Sequence, residues 1–376
     1  MNTMSVSRRR FAQLIGAGAA AVVVRPALSF AKPTQAISTP LAESGNIVRL
    51  SANENPYGPS TNALQAMTES FGLACRYPDE HNNLLIDKVA KLNNVDRDHI
   101  LLGDGSGEIL KLCAETFTGP QNGKLVAADP TFEAILKNAS ANGAEVVKVP
   151  LTSDFAHDLP KMLNTATKGG LIYVCNPNNP TASITPKNDL RDFIAKTPPE
   201  TMILVDEAYF HYADSPDYES VIPLVKEHPN LIVSRTFSKI YGMAGLRCGY
   251  CVAQKEAVER MRRNQMWDSV NCMALAAATA SLDDRDHVPN GQRLNREAKA
   301  FVISELDKMG YKQIPSQANF IMFDCKKPVV PLIKAMKEKN VHVGRLFPAL
   351  PNHMRLTIGK KSEMETFLAA FRELIA

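Results

Sequence analysis

The chain predicts an α/β fold in which a large domain with a mostly parallel, helix-covered sheet is joined to a smaller α+β domain. Three observations in its 376 residues predict this. Short, wholly apolar runs such as Met202-Ile203-Leu204-Val205 and Leu231-Ile232-Val233 suit strands buried on both faces. From about residue 100 to 253 such runs alternate with helical stretches, the rhythm of successive βα units. From about residue 266 the rhythm changes. Leu294, Ala298, Phe301, Val302, Leu306 and Met309 fall on one helical face stopped by Gly310, and strand-like runs follow at 319–323 and 354–358. A closing helix carries Met364, Phe367, Leu368 and Phe371 on one side, with Ser362 and Glu365 spaced as a capping box. The divisions expected are a leader at 1–31, an arm with part of the smaller domain at 32–70, the large domain at 71–265 and the smaller domain at 266–376.

In chain order, the first thirty residues stand apart. Ser7-Arg8-Arg9-Arg10-Phe11 matches the twin-arginine export pattern, the uncharged stretch from Phe11 to Val24 is short for a bilayer span, and Ser29-Phe30-Ala31 offers a small-x-small cleavage site. The expectation is a periplasmic or secreted protein, exported folded by the twin-arginine machinery, with no stable membrane span. Without residues 1–31, which hold four arginines and no acid, 39 basic and 39 acidic side chains remain. That balance gives no support to nucleic-acid binding. Seven scattered cysteines make neither a disulfide framework nor a zinc motif, and eight histidines form no HExxH-like cluster, so no metal is expected.

The motifs follow the strands. Ser51 to Pro59, rich in proline and containing glycine, reads as an extended, turn-rich segment. Ile100-Leu101-Leu102 runs into Gly103-Asp104-Gly105-Ser106-Gly107-Glu108 and a helical pattern, a glycine-rich turn whose free N–H groups can face an anion. Leu125 to Ala128 ends at Asp129-Pro130-Thr131-Phe132, and Leu171 to Cys175 leads to Asn176-Pro177-Asn178-Asn179-Pro180-Thr181. Met202 to Val205 ends at Asp206-Glu207-Ala208-Tyr209, placing a carboxylate where open α/β sheets put their ligands. Leu231 to Val233 precedes Ser234-Arg235-Thr236-Phe237-Ser238-Lys239, with Arg247 eight residues further on. A lysine alone is usually a surface charge. Flanked by Thr236, Ser238 and Arg247, it becomes an amine able to form a Schiff base beside groups that would hold a phosphate dianion. Pyridoxal 5'-phosphate requires that layout, and Asp206 would then pair with its protonated ring nitrogen.

Ser234 to Lys239 with Gly245-Leu246-Arg247-Cys248-Gly249-Tyr250 resembles the lysine segment of fold-type I aminotransferases, classes I and II. Asn53-Glu54-Asn55-Pro56-Tyr57-Gly58-Pro59 and Arg76-Tyr77-Pro78-Asp79 are similar to segments of the histidinol-phosphate aminotransferases. The resemblance implies the aspartate aminotransferase-like fold, whose large-domain sheet has seven strands. It makes Lys239 the residue that carries the cofactor and moves the proton. Ser238, Arg247, Gly105, Ser106 and Gly107 would bind the phosphate, Phe132 would stack on the pyridine, and Asn179 and Tyr209 would bond its phenolic oxygen. Arg355, in His353-Met354-Arg355-Leu356-Thr357-Ile358-Gly359, would clamp the substrate carboxylate. Tyr57 would reach the phosphate and substrate of a neighbouring subunit, which implies a homodimer with shared active sites. Two departures stand out: Ala182 occupies a position where the family has glycine, and Val343-Gly344-Arg345 replaces a Val-Arg pair, leaving the side-chain pocket open.

The implied activity moves an amino group between a histidinol-phosphate-like, aromatic or other L-amino donor and a 2-oxo acid such as 2-oxoglutarate. A lyase or oxidase on the same fold, and a cofactor-binding protein without catalysis, are the alternatives.

Overall fold

The computed structural model describes residues 47–166 and 169–375. The leader expected at 1–31, and the arm up to residue 46, lie outside the described residues. Eleven described strands run through the chain. They are β1 (Val48–Leu50), β2 (Ile100–Gly103), β3 (Leu125–Asp129), β4 (Val146–Pro150), β5 (Leu171–Cys175), β6 (Met202–Asp206), β7 (Leu231–Thr236), β8 (Gly249–Ala253), β9 (Phe320–Asp324), β10 (Val341–Val343) and β11 (His353–Thr357).

Seven of them form one sheet in the order β2-β8-β7-β6-β5-β3-β4. Strands β3 to β7 are parallel, and β8 runs antiparallel to both its neighbours. The mostly parallel, seven-stranded sheet implied by the sequence is the one observed. Its apolar runs have no polar alternation because both faces are covered. Ile172, Val174, Ile203 and Val205 face one core, while Leu171, Tyr173, Met202 and Leu204 face the other. Parallel pairing brings the C-terminal ends of β3, β5, β6 and β7 side by side, and that edge builds the site.

A third core belongs to the smaller unit. Antiparallel β9 and β11, with parallel β1 and β10, cover Val302, Leu306, Phe323, Phe367 and Phe371. The expected division at residue 266 needs correction. The helix Cys272–Asp283 packs on the helices Thr61–Glu69 and Asp79–Asn93, and its Ala274, Leu275, Ala277 and Ala278 join the large core. Ala63, from the stretch assigned to the arm, lies there too. Ala298, Val302 and Leu306 of the helix His287–Lys308 belong to the small core, so the cores divide along that helix. An alanine-rich helix buried all round has no single apolar face to betray its partner. The closing helix begins at Lys361, and Glu363 reaches back to the Lys360 N–H at 2.6 Å, so the Ser362–Glu365 capping box does not form. All seven cysteines are free, and among the described residues no helix is long and apolar enough to cross a membrane.

Candidate active site

A cavity of about 630 Å³ opens at the C-terminal ends of the parallel strands, where Thr131, Cys175, Asp206 and Thr236 follow or finish β3, β5, β6 and β7. Lys239, Tyr209, Asn179, Arg247 and Arg355 line it as well.

Asp206 is the last residue of β6 and is 2% exposed. Its partners are neutral: Tyr173 donates its hydroxyl to Oδ2 at 2.9 Å and Ser234 donates to Oδ1 at 3.1 Å. Burial raises the Asp206 pKa despite both hydroxyls, so its charged form carries a desolvation cost that a bound cation would offset. Lys239 follows β7, and its Nζ donates to the Ala52 carbonyl at 3.3 Å and lies 5.6 Å from the centre of the Tyr209 ring. Burial, with the Arg355 charge next, pulls its ammonium down to about 8.

Arg355 reaches the cavity from β11 of the smaller unit. Its NH1 donates to Asn179 Oδ1 at 2.8 Å and NH2 donates to the Ser51 carbonyl, while the buried Nε has no partner. Asn179 in turn donates to the Tyr209 hydroxyl at 3.3 Å. On another wall, Ser106 and Gly107 sit in the first turn of the helix Gly105–Phe117, where backbone N–H groups lack helical acceptors. Arg247, at φ +60°, donates to the carbonyls of Asp104 at 3.3 Å and Ala244 at 3.0 Å. Glycine is needed at two places for this approach. A Cβ on Gly105, itself at φ +72°, would fall 2.2 Å from the Arg247 guanidinium, and one on Gly249 would fall 2.4 Å from the Ser106 nitrogen. The result is a cradle of donors, with Thr236 and Ser238 hydroxyls 2.9 Å apart on the same cavity wall.

Phosphate donors gathered at one end, a buried carboxylate without a cation, a half-buried amine and an arginine with an orphaned N–H fit pyridoxal 5'-phosphate and a carboxylate substrate. Phe132, about two-fifths exposed, also lines the cavity. Tyr57 does not: it is 42% exposed, held by its backbone N–H on Asn55 Oδ1 at 3.1 Å, with Lys360 Nζ 5.9 Å from its ring centre. The chain by itself does not bring Tyr57 to its own cavity.

Asn53 was not singled out by the motifs, although it opens the segment that contains Tyr57. It adopts φ +55°, and its N–H donates to Thr357 Oγ1 at 2.9 Å. Thr357 returns a bond to Asn53 Oδ1 at 3.1 Å, and Asn53 Nδ2 donates to the Tyr209 hydroxyl at 3.1 Å. Asn319 donates to the Asn53 carbonyl at 3.1 Å. Tyr209 therefore takes donors from two asparagines.

Ala182 resolves the question raised by the missing glycine. It is buried at φ +61°, with its N–H on the Asn178 carbonyl at 2.8 Å. Relief of left-handed strain in Ala182→Gly, roughly 1 kcal/mol, is opposed by a lost buried methyl of about 0.8 kcal/mol and a freer unfolded chain. The expected change in denaturant-unfolding stability is therefore within about 1 kcal/mol. A much larger loss would mean that the methyl packs more tightly than the backbone is strained.

A buried carboxylate, an amine and a phosphate cradle at this edge of such a sheet define a pyridoxal-phosphate enzyme of the aspartate aminotransferase fold. The chain belongs to the class I and II aminotransferases, whose family model matches residues 45–371. It is accordingly a pyridoxal-phosphate-dependent transaminase. The histidinol-phosphate aminotransferase of Moorella thermoacetica is 37% identical over 349 residues, covering 92% of this chain and 89% of that one. The protein of that name from Bacillus subtilis is 33% identical over 347 residues, covering 92% and 96%. A solved structure of the Sinorhizobium meliloti histidinol-phosphate aminotransferase in complex with pyridoxal-5'-phosphate matches with TM-score 0.81 at 26% identity, over 88% of this chain and 91% of that one. The L-threonine-O-3-phosphate decarboxylase of Porphyromonas gingivalis shares the fold, with TM-score 0.77 at 23% identity over 88% and 99%.

Proposed function

We propose that the enzyme takes its amino group from histidinol phosphate or from an aromatic or other L-amino acid and delivers it to a 2-oxo acid such as 2-oxoglutarate. We further propose that it works as a homodimer with shared sites after export by the twin-arginine route. The observation that carries the chemical reading is the convergence of Lys239, Asp206 and Arg355 on one cavity. The names of the relatives support the donor class, and Tyr57, standing outside its own cavity, supports a site shared with a second copy. Ser7 to Ala31 supports export to the periplasm or medium.

In this reading Arg247, Ser238 and the N–H groups of Gly105, Ser106 and Gly107 would hold the cofactor phosphate. Phe132 would stack on the ring, Asp206 would pair with its nitrogen, and Asn179 and Tyr209 would hold its phenolic oxygen. The bound ring supplies an electron sink for the pair left at the substrate Cα. Lys239 Nζ would take the proton from that carbon and deliver it to the other carbon bonded to the amino nitrogen, the shift that amino transfer requires. An amine whose ammonium titrates near 8 is neutral often enough near neutral pH to act as that base. Asp206, paired with the ring nitrogen, would keep the sink effective. Arg355, which lines the cavity, would take the substrate carboxylate, and Asn179 fixes the guanidinium in place. Asn53, which also lines the cavity, positions Tyr209.

Amino transfer to 2-oxoglutarate, measured as glutamate formed from a panel of donors, tests the donor class. Histidinol phosphate or an aromatic L-amino acid is expected to give the highest kcat/KM. Absence of glutamate formation from every donor of the panel would overturn the assignment.

A further inference from the structure

Arg345 NH2 lies 2.9 Å from Glu133 Oε2. Both residues line the cavity, and they come from different cores. Glu133 follows β3 of the large sheet, while Arg345 follows β10 of the smaller unit, so their ion pair spans the cavity between the two. The Arg345 and Glu133 side chains are 54% and 35% exposed, and exposed pairs are weak enough for a ligand to displace. Each end has an alternative hold. Arg345 lies 4.3 Å from the centre of the Phe347 ring and donates to the Leu346 carbonyl at 2.8 Å, and Glu133 has Lys137 Nζ at 3.8 Å. The Arg355 guanidinium packs against the same Phe347 ring, at 5.1 Å. Two guanidiniums against one ring present two anion sites a short chain apart. Only one of them is already paired with an acid.

We propose that Glu133 occupies Arg345 as a stand-in for the anionic end of a substrate side chain, so that the Glu133–Arg345 pair sets the preference for donors carrying a second anion. The inference rests on the transaminase reading in giving the first anion, the carboxylate on the reacting carbon, to Arg355. A donor ending in a carboxylate or a phosphate group displaces Glu133 onto Lys137 and takes the freed guanidinium. An uncharged donor leaves the pair closed. Glu133 and Arg345 are thus specificity-determining residues in competition with the substrate.

Unreactive carboxylates on the holoenzyme test this without turnover. Calorimetric Kd values are measured for glutarate and 3-phosphonopropionate, which carry a second anion, and for butyrate, which does not. The readout is the ratio of each dianion's Kd to that of butyrate. Glu133→Gln is expected to lower this ratio at least threefold and Arg345→Gln to raise it at least tenfold. The dianion that moves further identifies carboxylate or phosphate as the favoured end. Ratios that stay constant in both variants, or a ratio that rises in Glu133→Gln, would overturn the proposal. A holoenzyme that transferred no amino group could still give the expected ratios, so failure of the transaminase reading is separately visible.

Discussion

Lys239→Ala is expected to lower amino transfer by at least roughly 10³-fold, because it removes both the amine that carries the cofactor and the base that moves the proton. The fold is expected to survive. Lys239 makes one long hydrogen bond, to the Ala52 carbonyl at 3.3 Å, and burial already disfavours its charge. Thermal unfolding should therefore shift little while turnover collapses. The measurement is glutamate formation from 2-oxoglutarate beside a melting curve on the same preparation. A variant that keeps a tenth of wild-type transfer would remove Lys239 from the chemistry.

Asp206→Asn separates catalysis from stability. The carboxyl group is buried between two hydroxyls with burial raising its pKa, so its charged form is costly in the cofactor-free protein. Asparagine keeps the shape and can still accept from Tyr173 or Ser234. The cofactor-free variant should be at least as stable as wild type, whereas kcat should fall about 10²–10³-fold through loss of a preorganised charge. A merely structural carboxylate would give the reverse pattern, with lost stability and unchanged kcat.

Much of the site was legible because its residues occupy strand ends inside contiguous motifs. Asp206 follows an apolar run that could only be a buried strand, and Lys239 follows another. Long-range assembly was less legible. Asn53 meets Tyr209 across 156 positions and Thr357 across 304, and no local pattern signals either pairing. Tyr173 reads only as a β5 core residue, yet its hydroxyl crosses to the neighbouring strand to meet Asp206. The helix Cys272–Asp283 was assigned to the wrong core because its alanines supply no direction. The pairing of Arg345 with Glu133 joins loops 212 residues apart, and the sequence marked that region only as a departure from the family pattern.

The central claim, that this cavity exchanges amino groups, is tested most directly by the absorbance of the purified holoenzyme in stopped addition. A single donor is added first, and 2-oxoglutarate afterwards. The account predicts that the donor alone bleaches the visible band of the bound cofactor with release of one equivalent of 2-oxo product, and that 2-oxoglutarate restores the band. Continuous turnover on the donor alone, releasing carbon dioxide or ammonia without any acceptor, would contradict it and assign the site to a lyase or an oxidase instead.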